Sequence, residues 1–345
     1  MKRISITMLL FLLSMSCYVS GLSARRGSTQ QDNKPEWLIN PQSRYPQGMY
    51  LVAIGEGDNR RRAEADAARN LAKIFETKVE TEELFRERYQ EIVSESSVQS
   101  EISTDIDSSI ALSASQTLYN IQYADSYTDE LGRVSVLAYI DRHKTADIYM
   151  DKISNHSDQI RIFLEQAERT ESLLHEYAYR SAATVISTAN ETLLEQLQVI
   201  APDYKAMLML DYDHNELLLE TRKLAQNISF SVTIVDDHDQ DLCSVVRDML
   251  TGHGFVIDET GDVKIKGEVV VENVDLQRPE KFVRWHLNLE MQDDQGNTLI
   301  SHSQRGREGH VNQSEAVARA YRALEREIRQ EFNRKLFSYF DKLVN

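Results

Sequence analysis

The stretch with the clearest chemical possibilities runs from Tyr50 to Arg62, YLVAIGEGDNRRR. An apolar run meets Gly55-Glu56-Gly57, and Arg60, Arg61 and Arg62 open an alanine-rich segment. Strand, glycines and helix start is the order in which phosphate cradles are built, because free N–H groups at a helix N-terminus attract anions. The dinucleotide fingerprint needs a third glycine where this chain has Arg60, and an acidic residue ending a second parallel strand about 20 residues on. Glu76 falls near that distance, but within a helical pattern. A P-loop needs Gly-Lys-Ser/Thr, which the stretch lacks. Nucleotide chemistry is therefore not expected, and a tight turn is. The arginines oppose the helix dipole by roughly 0.3–1 kcal/mol each. The pairs Arg60–Glu64 and Arg62–Asp66 are expected to offset part of this. Arg60, Arg61 and Arg62 are also the candidate contacts for an acidic partner or a lipid phosphate.

The second reactive candidate is Cys17. Lys2 and Arg3 precede the apolar run ISITMLLFLL, which is too short to span a bilayer and fits an export signal. The run ends at Leu13-Ser14-Met15-Ser16-Cys17. This is similar to the lipobox of bacterial lipoproteins, in which the cysteine becomes the acylated first residue. Ser14 stands where leucine is usual, with Leu13 one place earlier. Cleavage near Gly21 or Ala24, giving a soluble secreted chain, is the alternative. The other cysteine, Cys243, lies beside Leu242, Val246 and Met249 on an expected helix, as a buried small hydrophobe would.

Metal and nucleophile patterns are weaker. Asp237-His238-Asp239-Gln240-Asp241 begins like a calcium loop, but Leu242 stands where glycine is needed; Asp211-Tyr212-Asp213 fails in the same way. The nine histidines are scattered, and no Gly-x-Ser-x-Gly elbow occurs. No cofactor, metal or catalytic residue is expected. A net charge of −16 disfavours a nucleic-acid partner.

These candidates must be positioned by the elements around them. With 41% hydrophobic and 27% charged residues, the 345-residue chain can form cores of its own. Residues 1–16 read as the signal and 17–33 as a flexible tether. Residues 34–145 read as an α+β domain: a strand at 49–54, a helix carrying Ala63, Ala67, Leu71, Ile74, Phe75 and Val79 on one face, and a hairpin around Thr128–Gly132. Between Ser94 and Ser115, Val98, Ile102, Ile106 and Ile110 recur every four residues, which suits helix and strand equally, so the structure of residues 88–116 is left open. Residues 146–228 read as a helical hairpin or bundle. Residues 229–345 read as strand, helix, several strands, and a last helix from Ser314 with Ala316, Ala320, Leu324 and Ile328 inward. The expected fold class is α+β, two small domains of antiparallel sheet with packed helix flanking the helical segment.

Pro35-x-Trp37, YLVAIGEG, the helix ending LAKIFETKVE and the strand closing LAYIDR together resemble the LPP-twenty lipoprotein family over residues 34–145. That family is related to the N-terminal domain of flagellar assembly protein T. The last region more loosely resembles domains of envelope assembly proteins such as the curli secretion lipoprotein. The resemblance implies an exported bacterial lipoprotein without established catalytic activity, in the outer membrane or periplasm. Its expected partners are envelope proteins, with the membrane reached through acylated Cys17. A periplasmic small-ligand carrier or enzyme using an inter-domain cleft is the alternative.

Overall fold

The computed structural model describes residues 34–75, 83–96, 118–237 and 241–345. The signal, Cys17, the tether, Glu76, Val79, residues 97–117, His238 and Asp239 lie outside them.

The first unit comprises α1 (Glu36–Ile39), β1 (Tyr50–Gly57), α2 (Arg60–Ala72), β2 (Gln122–Thr128) and β3 (Val134–Asp141), while α3 (Glu83–Ser96), between α2 and β2 in the chain, packs outside it. Its antiparallel sheet has the order β1-β3-β2. Ala63, Ala67 and Leu71 are fully buried, so α2 lies close on the sheet. After Ala72 the chain tightens into a 3₁₀ turn over Lys73–Phe75. This change of period turns Phe75 inward and leaves Ile74, expected on the buried face, 41% exposed.

The middle is helical, as the pattern predicts: α4 (Arg142–Arg169), α5 (Leu173–Ile200), α6 (Pro202–Met207) and α7 (His214–Ala225). α4 and α5 each have 28 residues, about 42 Å at 1.5 Å per residue, and pair as a hairpin. The hairpin joins two cores. Tyr149, Ile153, Leu193 and Leu197 enter the core under the first sheet, while Tyr177 and Ala178 enter the core of the last region.

Buried polar groups fix the register along it. Tyr149 donates to Gln196 at 2.8 Å, and the His156 ring meets Asn190 Oδ1 at 2.7 Å and the Tyr89 hydroxyl at 2.8 Å. Burial pushes the His156 imidazole below its ordinary value, so the ring is neutral. It then holds both bonds as one donor and one acceptor.

The last region comprises β4 (Ser229–Val235), α8 (Asp241–Gly252), β5 (Val256–Ile257), β6 (Val263–Val274), β7 (Lys281–Gln292), β8 (Thr298–His310), α9 (Gln313–Glu327) and α10 (Asn333–Lys342). Its sheet has the order β5-β4-β6-β7-β8. β6, β7 and β8 are antiparallel, but β4 runs parallel to both β5 and β6 because α8 carries the chain across between them. The fold is thus α+β with one antiparallel and one mixed sheet. Asn312 caps α9, two residues before the expected start at Ser314.

The buried positions of the last helices repeat every four residues: Ala316, Ala320, Leu324, Ile328, Phe332, Leu336 and Phe340. A strict period of four drifts around an α-helix of 3.6 residues per turn. The π-helical turn at Ile328–Phe332, between α9 and α10, takes up that drift and keeps the whole series facing the core.

Candidate functional site

The two glycines at the end of β1 are occupied by packing. A Cβ on Gly55 would lie 2.0 Å from the Ala67 nitrogen and 2.4 Å from the Ala63 oxygen, both backbone atoms of α2. One on Gly57 would lie 2.7 Å from the Ala63 nitrogen. The glycines are required because helix and strand touch there, and that contact fills the space a phosphate would need.

Local side chains also cap the α2 N-terminus and tie β1 to the helix. Asn59 accepts from the Arg62 N–H at 3.0 Å, and Asp66 accepts from the Glu56 N–H at 3.1 Å. Arg60 pairs with Glu64 at 2.7 Å as the spacing predicts. Arg62 pairs with Asp58 at 2.7 Å instead of with Asp66. Asp66 is engaged by the Glu56 N–H, Arg69 and Asn70, and Asp58 stands just before the helix where it also favours the dipole. Arg61 is exposed, and its side chain forms no ion pair among the described residues. The trio is therefore two locally paired arginines and one outward-facing cation.

The acidic loop tips serve as helix caps. Asp237 accepts from the Leu242 and Cys243 N–H groups at 3.2 and 2.8 Å, and Asp213 accepts from the Glu216 N–H at 2.9 Å. Cys243 is buried on α8 with its thiol toward the Val232 carbonyl, and burial pushes its pKa up.

A surface cleft of about 470 Å³ lies where Gln47, Gly48, Arg142, His143, Pro202 and Tyr204 converge. Its guanidinium is already engaged: Arg142 donates to the carbonyls of Gln47, Val199 and Ile200 at 2.6–3.0 Å. The last two are free carbonyls at the C-terminus of α5. The cleft lies where the Gln47–Gly48 and Arg142–His143 segments of the first unit meet the end of α5 and the start of α6, at the junction of the first unit with the helical segment.

Sequence reasoning missed the role of α3. Its residues Glu87, Arg88 and Glu91 reach Arg334, Asp341 and Ser338 on α10. This ties the insertion after α2 to the last helix. Each segment carries only half of such a contact, so no local pattern announces it.

A glycine-paired strand under an alanine-faced helix, closed by an antiparallel hairpin, defines the first unit as a small α+β domain. Residues 35–141 match the LPP20 lipoprotein family. That span agrees with the resemblance carried by Trp37, the Gly55–Gly57 strand and the β3 strand. Among solved structures, the chain is similar to a secreted protein from the human pathogen Helicobacter pylori, at 12% identity and TM-score 0.41, covering 82% of this chain and 99% of that one. It is also similar to a minor lipoprotein from Acinetobacter baumannii, at 17% identity and TM-score 0.27, covering 32% and 90%. Likeness of that degree carries no property over to this chain. No curated protein matches it.

Proposed function

We propose that this chain is a non-catalytic lipoprotein of the bacterial envelope, acylated at Cys17, that binds other envelope proteins. The match of residues 35–141 to a lipoprotein family carries the reading, and it stands behind a basic start, an apolar run and Cys17. No described helix is long and apolar enough to cross a membrane, and a lipid on Cys17 would hold the chain at one without such a helix. The reading over a carrier or enzyme is supported by the cleft at the junction of the first unit and the helical segment, whose arginine is committed to backbone carbonyls.

The test is metabolic labelling with palmitate in a bacterial host, comparing wild type with Cys17→Ala, followed by membrane fractionation. Label and membrane association present in wild type and absent in the variant are expected. Label that persists in Cys17→Ala removes the anchor from that position. Crosslinking in intact cells then reads out protein partners; a wild-type chain that crosslinks to none would sink the scaffold role.

A further inference from the structure

The open face of the second sheet carries a cationic cluster beside an unpaired strand edge. β7 and β8 are in register so that Arg284 stands directly opposite Arg307, and His286 opposite Arg305. All four are exposed, and the inward side of the same strands is filled by Val283, Trp285 and Leu287. Like charges directly opposite one another destabilise a sheet. None of the three arginines has an ion pair among the described residues, although the chain has 55 acidic residues against 39 basic ones. The Arg307 guanidinium lies 5.5 Å from the Phe282 ring centroid, which gives it a stacked, extended support.

The edge beside them is open at its centre. Ser301 and Gly309 turn their carbonyls away from β7, where Lys335 and Arg319 donate to them at 3.1 Å. The register is unbroken between these two residues. A period of two therefore puts the backbone groups of Ser303, Arg305 and Arg307 on the same outer edge, with their side chains on the open face. The Arg305 N–H turns to its own neighbour Gln304, at 3.2 Å to Oε1. An edge of this kind accepts an added strand, and alternate side chains of that strand set its specificity.

We propose that β8 is a docking edge for an extended acidic segment of a partner protein, with carboxylates at alternate positions facing Arg305 and Arg307. This deepens the protein-binding role proposed above and rests on it. Charge chooses the occupant: a second copy would bring the same arginines to the edge, whereas carboxylates at alternate positions meet them. An anionic membrane fits less well, because Glu268, Glu272 and Glu290 lie on the same face as the arginines.

The test uses the full purified chain and a fluorescent eight-residue peptide of alternating threonine and glutamate, with a threonine–glutamine peptide as comparator. Saturable binding of the glutamate peptide, weakening as salt rises, is expected from anisotropy. The glutamine peptide should bind at least tenfold more weakly. Arg305→Glu/Arg307→Glu should lower glutamate-peptide affinity at least tenfold, and Ser303→Pro, which removes one outward donor, should lower it severalfold while circular dichroism stays unchanged. Equal binding of both peptides, or none, overturns the proposal. So does binding to phosphatidylglycerol vesicles that the double variant loses while the peptide does not bind, which would make the cluster a lipid contact. Self-association of Arg305→Ser/Arg307→Ser without peptide binding by wild type also overturns it, leaving the arginines as guards against edge pairing. Purified protein and peptide are used throughout, so these outcomes are independent of whether Cys17 is acylated.

Discussion

Arg88 and Asp341, 253 residues apart in the chain, form a two-pronged ion pair. Nε reaches Oδ2 at 2.9 Å and Nη2 reaches Oδ1 at 2.7 Å, while Nη2 also donates to Ser181 on α5 at 3.0 Å. The Asp341 side chain is fully buried, and the guanidinium lies 4.6 Å from the Phe337 ring centroid. Arg334–Glu87 at 2.7 Å and Ser338–Glu91 at 3.2 Å flank it on the same two helices. Three parts of the chain that the sequence presents as separate, α3, the helical hairpin and α10, are thereby joined at one point.

Asp341→Asn should destabilise the fold by about 3–5 kcal/mol, because it strands a buried guanidinium charge. Urea denaturation followed by circular dichroism measures this. Replacing both partners, as in Arg88→Met/Asp341→Leu, should restore most of the loss, since the desolvation cost goes with the charges. A double variant as unstable as the single one would show that packing, and not the stranded charge, sets the cost.

Much of this fold was legible in the sequence where periodicity is carried by large runs. The ladders from alanine to larger apolar residues at Ala63–Phe75 and Ala316–Ile328 identified both sheet-packing helices, and the two hairpins followed from alternation and turn residues. What the sequence did not disclose depends on juxtaposition. The parallel placement of β4 follows from the α8 crossover, and the Arg88–Asp341 pair from the packing of α3 on α10. The open-face arginines were equally hidden. Arg284, Arg305 and Arg307 read singly as ordinary polar positions, and only strand register places them side by side.

His156 makes stability depend on pH. Its imidazole is held below the ordinary value of 6.5, first by burial and then by Lys152, with the Asn190 bond acting the other way. The unfolded chain therefore takes up the proton before the folded one does. The stability this residue contributes is present above about pH 6.5 and is lost as pH falls through 6.5 toward the folded value. Thermal unfolding between pH 7.5 and 5.5 should show a falling midpoint, and His156→Gln should flatten that fall. An unchanged slope in the variant would assign the effect to another group.

The arginines at the start of α2 should separate by role. Arg60→Ala and Arg62→Ala each lose one exposed ion pair, and each should change stability by no more than about 1 kcal/mol. Asn59→Ala removes the cap on the Arg62 N–H and should cost about 1 kcal/mol. Arg61→Glu should leave stability within roughly 0.5 kcal/mol, because its side chain is exposed and forms no ion pair among the described residues. Envelope association is the readout for an acidic partner or lipid phosphate at this helix start. Reversing Arg60, Arg61 and Arg62 together should weaken it, and unchanged association would remove the trio from the contact.

Gly55 offers the sharpest separation between a packing role and a binding role. The two atoms nearest a Cβ there, at 2.0 and 2.4 Å, are backbone atoms of Ala67 and Ala63, so no side-chain rotation relieves the clash. Helix α2 must lift from β1 before even one methyl group can be accommodated. Gly55→Ala should therefore destabilise the fold by about 1–3 kcal/mol. Gly48→Ala, with no atom within 4 Å of the added carbon, should not. Denaturant midpoints of the two variants measure the contrast directly. A neutral Gly55→Ala would mean that helix and strand do not touch there, and would reopen the space above the glycines to a ligand.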